Sequence, residues 1–267
     1  MFRKCLTDYF PRDGLPWGHA PINEAPAKTF LKETVEVVDA VNHCARTFTK
    51  KKNGEFTKDS ADSYQNVAIS AFGLMMSHFE RFQRYQFAEL LNTMDFMDCV
   101  DDAQLAKELQ KQGCELSLQR LLSGRGDPRE PGQIVADAMP GWHNPERVNR
   151  YFSVIFPKVA FYSKETVREL DLMWQLRHSI VHTAGVITRE DAAKIPQLHG
   201  YADRRISLGT DFVPAVARRF HIMLKHSVGR LREEAKFSME AAGVEEEIEA
   251  FLDSVVGIDS PRRSWLS

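Results

Sequence analysis

The chain has 267 residues, of which 43% are hydrophobic and 27% charged, with a formal net charge of −2. That apolar share can bury a substantial core and excludes a disordered tail, while the near-neutral balance excludes whole-molecule attraction to polyanions. Any nucleic-acid contact must therefore come from a local cluster of cations or from assembly that concentrates one. The four cysteines, Cys5, Cys44, Cys99 and Cys114, form no Cys-x2-Cys pair, and there is neither a long apolar run nor a charged-then-apolar leader at Met1. Neither a membrane span, a signal peptide nor a disulfide framework is expected, and a soluble cytoplasmic protein with reduced thiols is.

Residues 1–27 carry Pro11, Gly14, Pro16, Gly18, Pro21 and Pro26 without apolar periodicity and read as an irregular arm. From Lys28 to Phe48, Phe30, Leu31, Val35, Val37, Val38, Val41 and Cys44 recur near helical spacing. The Thr49–Gly54 stretch breaks this first helix. Asp59 or Ser60 is placed to cap a second, long helix to about Met97, with Phe72, Met75, Met76, Phe79, Phe82, Phe87, Leu90 and Leu91 as its apolar side.

The texture changes over residues 98–144, where short helical patterns (105–109 and 116–122) alternate with breakers running from Gly124 through Pro131-Gly132. This reads as an insertion. Asn144 as cap, Pro145 in the first turn and the face Val148, Tyr151, Phe152, Ile155 and Phe156 reopen the helical scaffold. A further helix is expected over Ser163–Thr183 and, after a connection through Thr188–Asp191 and Asp203–Ile206, another over Phe212–Lys236, with a shorter one over Val244–Val255 and a tail at 256–267. Arg205–Leu208 is the best strand candidate, and only four residues long. The fold class is therefore all-α, a single helical domain over 28–255.

The densest chemistry lies at Arg177-His178-Ser179-Ile180-Val181-His182, an Arg-x4-His element closing an apolar helical run before Ala184-Gly185. Residues 170–185 resemble the signature of the HEPN superfamily of helical ribonucleases, in which an Arg, four to six residues and a His end the third core helix. The residue after the arginine, most often Asn or Asp in that superfamily, is His178 here. The resemblance implies a four-helix up-and-down core with the helical insertion lying between core helices two and three. It also implies a metal-independent endoribonuclease without cofactors, acting on RNA such as tRNA as a toxin or antiviral-defence effector, and a homodimer in which two motifs face each other. An antitoxin or regulatory partner would restrain it.

The residue types suit that chemistry. Cleaving RNA without a metal needs a base for the 2′-hydroxyl, an acid for the 5′-leaving oxygen and a cation for the crowded phosphorane. His182 suits the proton-transfer role, Arg177 the two-point grip on phosphate oxygens, and His178 a supporting one. By the same resemblance an acidic residue on the second core helix orients the arginine, and Glu80 in Ser77-His78-Phe79-Glu80-Arg81-Phe82 is the candidate. A solvated helix charge beside Arg81 and Arg84 is the alternative for Glu80, and neutralisation of the last helical carbonyls the alternative for Arg177 and His182.

Other readings are weaker. His178 and His182 share a helix face with Asp171, as zinc ligands can, but no Glu follows His178 and no cysteine is near. No metal or cofactor is expected. The basic clusters Lys50–Lys52, Arg125 with Arg129, Arg204-Arg205 and Arg218-Arg219 are each short enough to be solvated faces or loops. Trp142, Tyr151 and Tyr201 are candidates to stack on unpaired bases, whereas Trp174 and Phe152 belong to apolar faces. The competing function is a non-catalytic helical module for dimerisation, partner or nucleotide binding.

Overall fold

The computed structural model describes residues 24–93, 101–118, 130–243, 248–258 and 265–266. The expectations for residues 1–23, for the end of the second helix past Thr93, for Arg125 and Arg129, and for most of the tail lie outside the described residues. The chain is mostly helical, with two two-residue strands among the described residues. The helices are α1 (Pro26–Thr47), α2 (Lys58–Asn92), α3 (Asp102–Lys111), α4 (Pro131–Ala138), α5 (Pro145–Ile155), α6 (Lys164–His182), α7 (Arg189–Lys194), α8 (Phe212–Ala241) and α9 (Ile248–Val256). Strands β1 (Val186–Ile187) and β2 (Arg204–Arg205) pair antiparallel across α7 and a 3-10 turn at Pro196–Tyr201. Among the described residues no helix is long and apolar enough to cross a membrane.

Helix α2 has 35 residues, about 50 Å at 1.5 Å per residue, and is the spine of the molecule. Phe79, midway along it, is fully buried and meets Phe30 of α1 (5.5 Å), Phe220 of α8 (4.5 Å) and Trp174 of α6 (6.4 Å between ring centroids). Four long helices thus converge on one aromatic hub, where each buried ring is worth on the order of 2–3 kcal/mol in transfer free energy. Their directions follow from pairs along their lengths. Phe48, just past α1, meets Phe56, which stacks on Tyr64 early in α2, so α1 and α2 run antiparallel. Phe72 meets Phe212 and Phe79 meets Phe220, so α2 and α8 run the same way. Arg230 on α8 donates to the Phe161 carbonyl just ahead of α6, so α6 runs the opposite way to both.

A second aromatic cluster, Phe87, Trp142, Tyr151 and Phe152, fixes the insertion and α5 against α2. Two candidates for base stacking are thereby corrected. Trp142 and Tyr151 are fully buried, the indole N–H donating to the Ala136 carbonyl and the phenol to that of Pro140. Buried amides supply the polar links: Gln83 donates to the Trp142 carbonyl and accepts from the Tyr162 hydroxyl, each at 3.0 Å, while Gln86 donates to Val255 in α9.

Boundaries differ in instructive ways. Asn144 caps α5, as read from the sequence, and Ser163, expected to open the next helix, caps α6; each side chain accepts from the backbone three residues on. The first residue ahead of α2 is Thr57, not Asp59 or Ser60, which lie inside the first turn. Pro131-Gly132, read as breakers, open α4 with Pro131 in the first turn. Gly132 is required there because its nitrogen donates to Asn92 and a Cβ would sit 2.2 Å from the Ala88 carbonyl oxygen.

Candidate active site at the end of α6

Helix α6 stays regular through His182, and its stop is built locally. The Ser179 carbonyl accepts from the Thr183 amide (3.1 Å), the Thr183 hydroxyl (2.8 Å) and the Gly185 amide (2.9 Å). Ala184 and Gly185 carry φ of +52° and +81°, the left-handed turn in which glycine is least strained. The chain then enters β1, and the Ile206 amide, one residue past β2, donates to the Gly185 carbonyl at 2.7 Å. Gln65 of α2 holds the returning strand by donating to the Leu208 carbonyl (2.7 Å) and accepting from its amide (2.8 Å). The hairpin is thus clamped between the helix end and α2.

On this scaffold His178 and His182, one turn apart and both exposed, lie with ring centroids 4.6 Å apart at 41°. Arg177 is half-buried and lies over Trp174, its guanidinium carbon 5.9 Å from the indole centroid. On an unbroken helix Arg177 and His182 leave the axis about 140° apart. The two histidines are therefore brought together, and the arginine is held on a neighbouring side of the same helix end. Val181, between the histidines in sequence, is 56% exposed.

Glu80 pairs with Arg84 one turn along α2 at 2.8 Å. No ion pair joins it to Arg177, which has no carboxylate partner among the described residues. Asp171 faces Glu146 rather than a cation: burial, then that neighbouring carboxylate, raises its pKa above the ordinary value. Among the described residues no group of three His, Cys, Asp or Glu side chains gathers as a metal ion would require.

Two neighbours escape sequence reasoning. His143, just before the α5 cap, is exposed and meets the Trp174 ring edge-on at 6.3 Å, so the indole bearing Arg177 also bears an imidazole. Asp191 in α7 is buried, which opposes its ionisation; the Thr188 hydroxyl, Lys194 and the nearby His178 imidazole outweigh that and hold its carboxyl below the usual range. Both are brought in by the fold across 13 to 31 residues of chain, and no local pattern marks them. No family model matches the chain, and neither does any curated protein or any solved structure.

Proposed function

We propose that this is a HEPN-like, metal-independent endoribonuclease whose site is the end of α6. The observation that carries the reading is the pair of exposed imidazoles, His178 and His182, 4.6 Å apart and next in the chain to Arg177, which no carboxylate among the described residues holds. Neutral imidazole at one position removes the 2′-hydroxyl proton, and the oxygen attacks phosphorus. Imidazolium at the other protonates the departing 5′-oxygen, leaving a 2′,3′-cyclic phosphate and a 5′-hydroxyl. The guanidinium of Arg177 stabilises the non-bridging oxygens. Because Arg177 and His182 diverge around one helix, a second copy related by a two-fold axis is the economical way to set a guanidinium opposite the imidazoles, and we propose an isologous homodimer. The packing of four long helices around Phe79, with the insertion between the second and third, supports the HEPN-like core.

A binding module without catalysis is the second reading, favoured by the commitment of Glu80 to Arg84 and by the seating of Arg177 on Trp174. The two part in one experiment. The purified chain, in chelator, cleaves total RNA to cyclic-phosphate and 5′-hydroxyl ends. His182→Ala, folded as judged by circular dichroism, lowers the rate by about two to four orders of magnitude. Mixing Arg177→Ala and His182→Ala chains restores part of the activity if two subunits share the site. Absence of cleavage by the wild-type chain favours the binding module, and a reaction stopped by chelator and restored by zinc overturns the metal-free mechanism.

A further inference from the structure

The carboxyl end of a helix carries the negative end of its dipole, which repels phosphate. A phosphodiester site at the end of α6 therefore needs cations beyond those of α6 itself. They stand on the adjoining strand. In the β1–β2 ladder Val186 faces Arg205 and Ile187 faces Arg204, and β1 begins four residues after His182. The turn from Thr183 to Val186, closed by the Val186 amide on the Thr183 carbonyl at 3.1 Å, spans less than about 7 Å. Crossing the ladder adds about 5 Å. The Arg205 backbone thus lies within about 12 Å of the helix end, a distance that an arginine side chain and one neighbouring phosphate readily bridge.

The electrostatics of the hairpin leave these two arginines unspent. Asp203, directly before them, is held by Arg189 at 2.7 Å. Glu190 and Asp191 are held by Lys194 at 3.1 and 3.5 Å. Each carboxylate of the 183–210 segment is therefore neutralised within it, and Arg204 and Arg205, both exposed, have no carboxylate partner among the described residues. Arg81, Arg84, Arg219 and Arg232, by contrast, are each ion-paired. Next to Arg204, across Ala202 and Asp203, Tyr201 presents a ring 54% exposed, a platform on which any base can stack.

We propose that Arg204, Arg205 and Tyr201 form the docking flank for single-stranded RNA, gripping phosphates of the nucleotides next to the one presented to His178 and His182. The strand runs from the helix end along β2, a short site on the order of four nucleotides. This rests on the nuclease reading for the identity of the strand, but binding and cleavage are measured separately.

The probe is a fluorescein-labelled, 2′-O-methylated oligouridylate, which lacks the nucleophilic hydroxyl, titrated by anisotropy over a series of salt concentrations. Each phosphate contact with a single strand contributes about 0.7 to the slope of log affinity against log salt. The double variant Arg204→Ala/Arg205→Ala is expected to lower that slope by about 1.4 and to weaken binding on the order of twentyfold at 0.1 M salt. Tyr201→Ala weakens binding by about tenfold with the slope unchanged, because stacking releases no counterions. Arg204→Lys/Arg205→Lys restores the slope, which separates lost charge from a damaged hairpin. The control Arg150→Ala/Arg168→Ala, two exposed arginines on α5 and α6, leaves slope and affinity at the wild-type value. A double variant with wild-type slope and affinity, or a control that loses as much, overturns the proposal. If the chain binds with the two-arginine signature but cleaves nothing, the docking flank stands and the nuclease reading falls. If it cleaves, and the double variant cleaves dilute RNA at the wild-type rate, the flank falls and the nuclease stands.

Discussion

Arg177→Lys tests whether the arginine serves the reaction or the helix. The substitution keeps the charge and removes the planar fork. What the fold stands to lose is bounded by the contact that Arg177 makes: its guanidinium lies 5.9 Å from the Trp174 centroid and no carboxylate among the described residues holds it. Such a cation–π contact at a partly exposed site is worth about 0.5–1 kcal/mol, part of which lysine retains. In a chain of this size that is a fall of no more than about 2–4 °C in Tm. A shift so small leaves the folded population unchanged at assay temperature, so no fall in rate can be charged to unfolding. Catalysis stands to lose more, since an ammonium cannot meet two phosphorane oxygens at once, and a loss of about tenfold or more, equal to about 1.4 kcal/mol in the transition state, is expected. The assay pairs initial cleavage rates in chelator with a thermal melt and with affinity for uncleavable RNA, which should stay within a few-fold. Wild-type cleavage with a lowered Tm would refute the reasoning and make Arg177 a helix-end packing residue. Equal losses in cleavage and affinity would make it a docking contact only.

Tyr162→Phe removes the fully buried hydroxyl that donates to Gln83, leaving the Gln83 oxygen without that donor, and should cost about 1–3 kcal/mol, read as a lower midpoint in urea; an unchanged midpoint would mean that this link between α2 and the segment leading into α6 adds nothing. Acid should loosen the fold before it protonates carboxylates. Burial, aided by Arg81 and opposed by Glu33, lowers the pKa of His78, and burial aided by Lys225 lowers that of His221, which stacks on Trp265 at 4.2 Å. Both rings resist protonation when folded, so the unfolded chain takes up the protons first. Their contribution is fully present above the unfolded value of about 6.5 and is lost as pH falls below it. Tm should decline between about pH 7.5 and 5.5, less steeply in His221→Gln; a flat profile would show that neither ring feels its burial.

The all-α class, the cap at Asn144, and the start and stop of α6 from Ser163 to Thr183 with Gly185 beyond are legible in the sequence. Each depends on interactions within a few residues, such as a side chain reaching the amide three positions on, or a left-handed turn that glycine tolerates. The shared face of His178 and His182 is legible for the same reason, because a four-residue step brings side chains together on any helix. What surrounds that face is not. Trp142 and Tyr151 carry the same polar handles whether they stack on a base or fill a core, and only the packing against Phe87 makes them core residues. Glu80 has Arg84 one turn away and Arg177 in a different helix, and the choice between them depends on how α2 and α6 pack. The placing of Arg204-Arg205 beside the end of α6 follows from a two-residue ladder and from Gln65 gripping Leu208 across 143 residues. Such contacts depend on the summed geometry of every helix between them, which no local periodicity encodes, so the candidate residue types belong to the sequence and their neighbourhood to the tertiary structure.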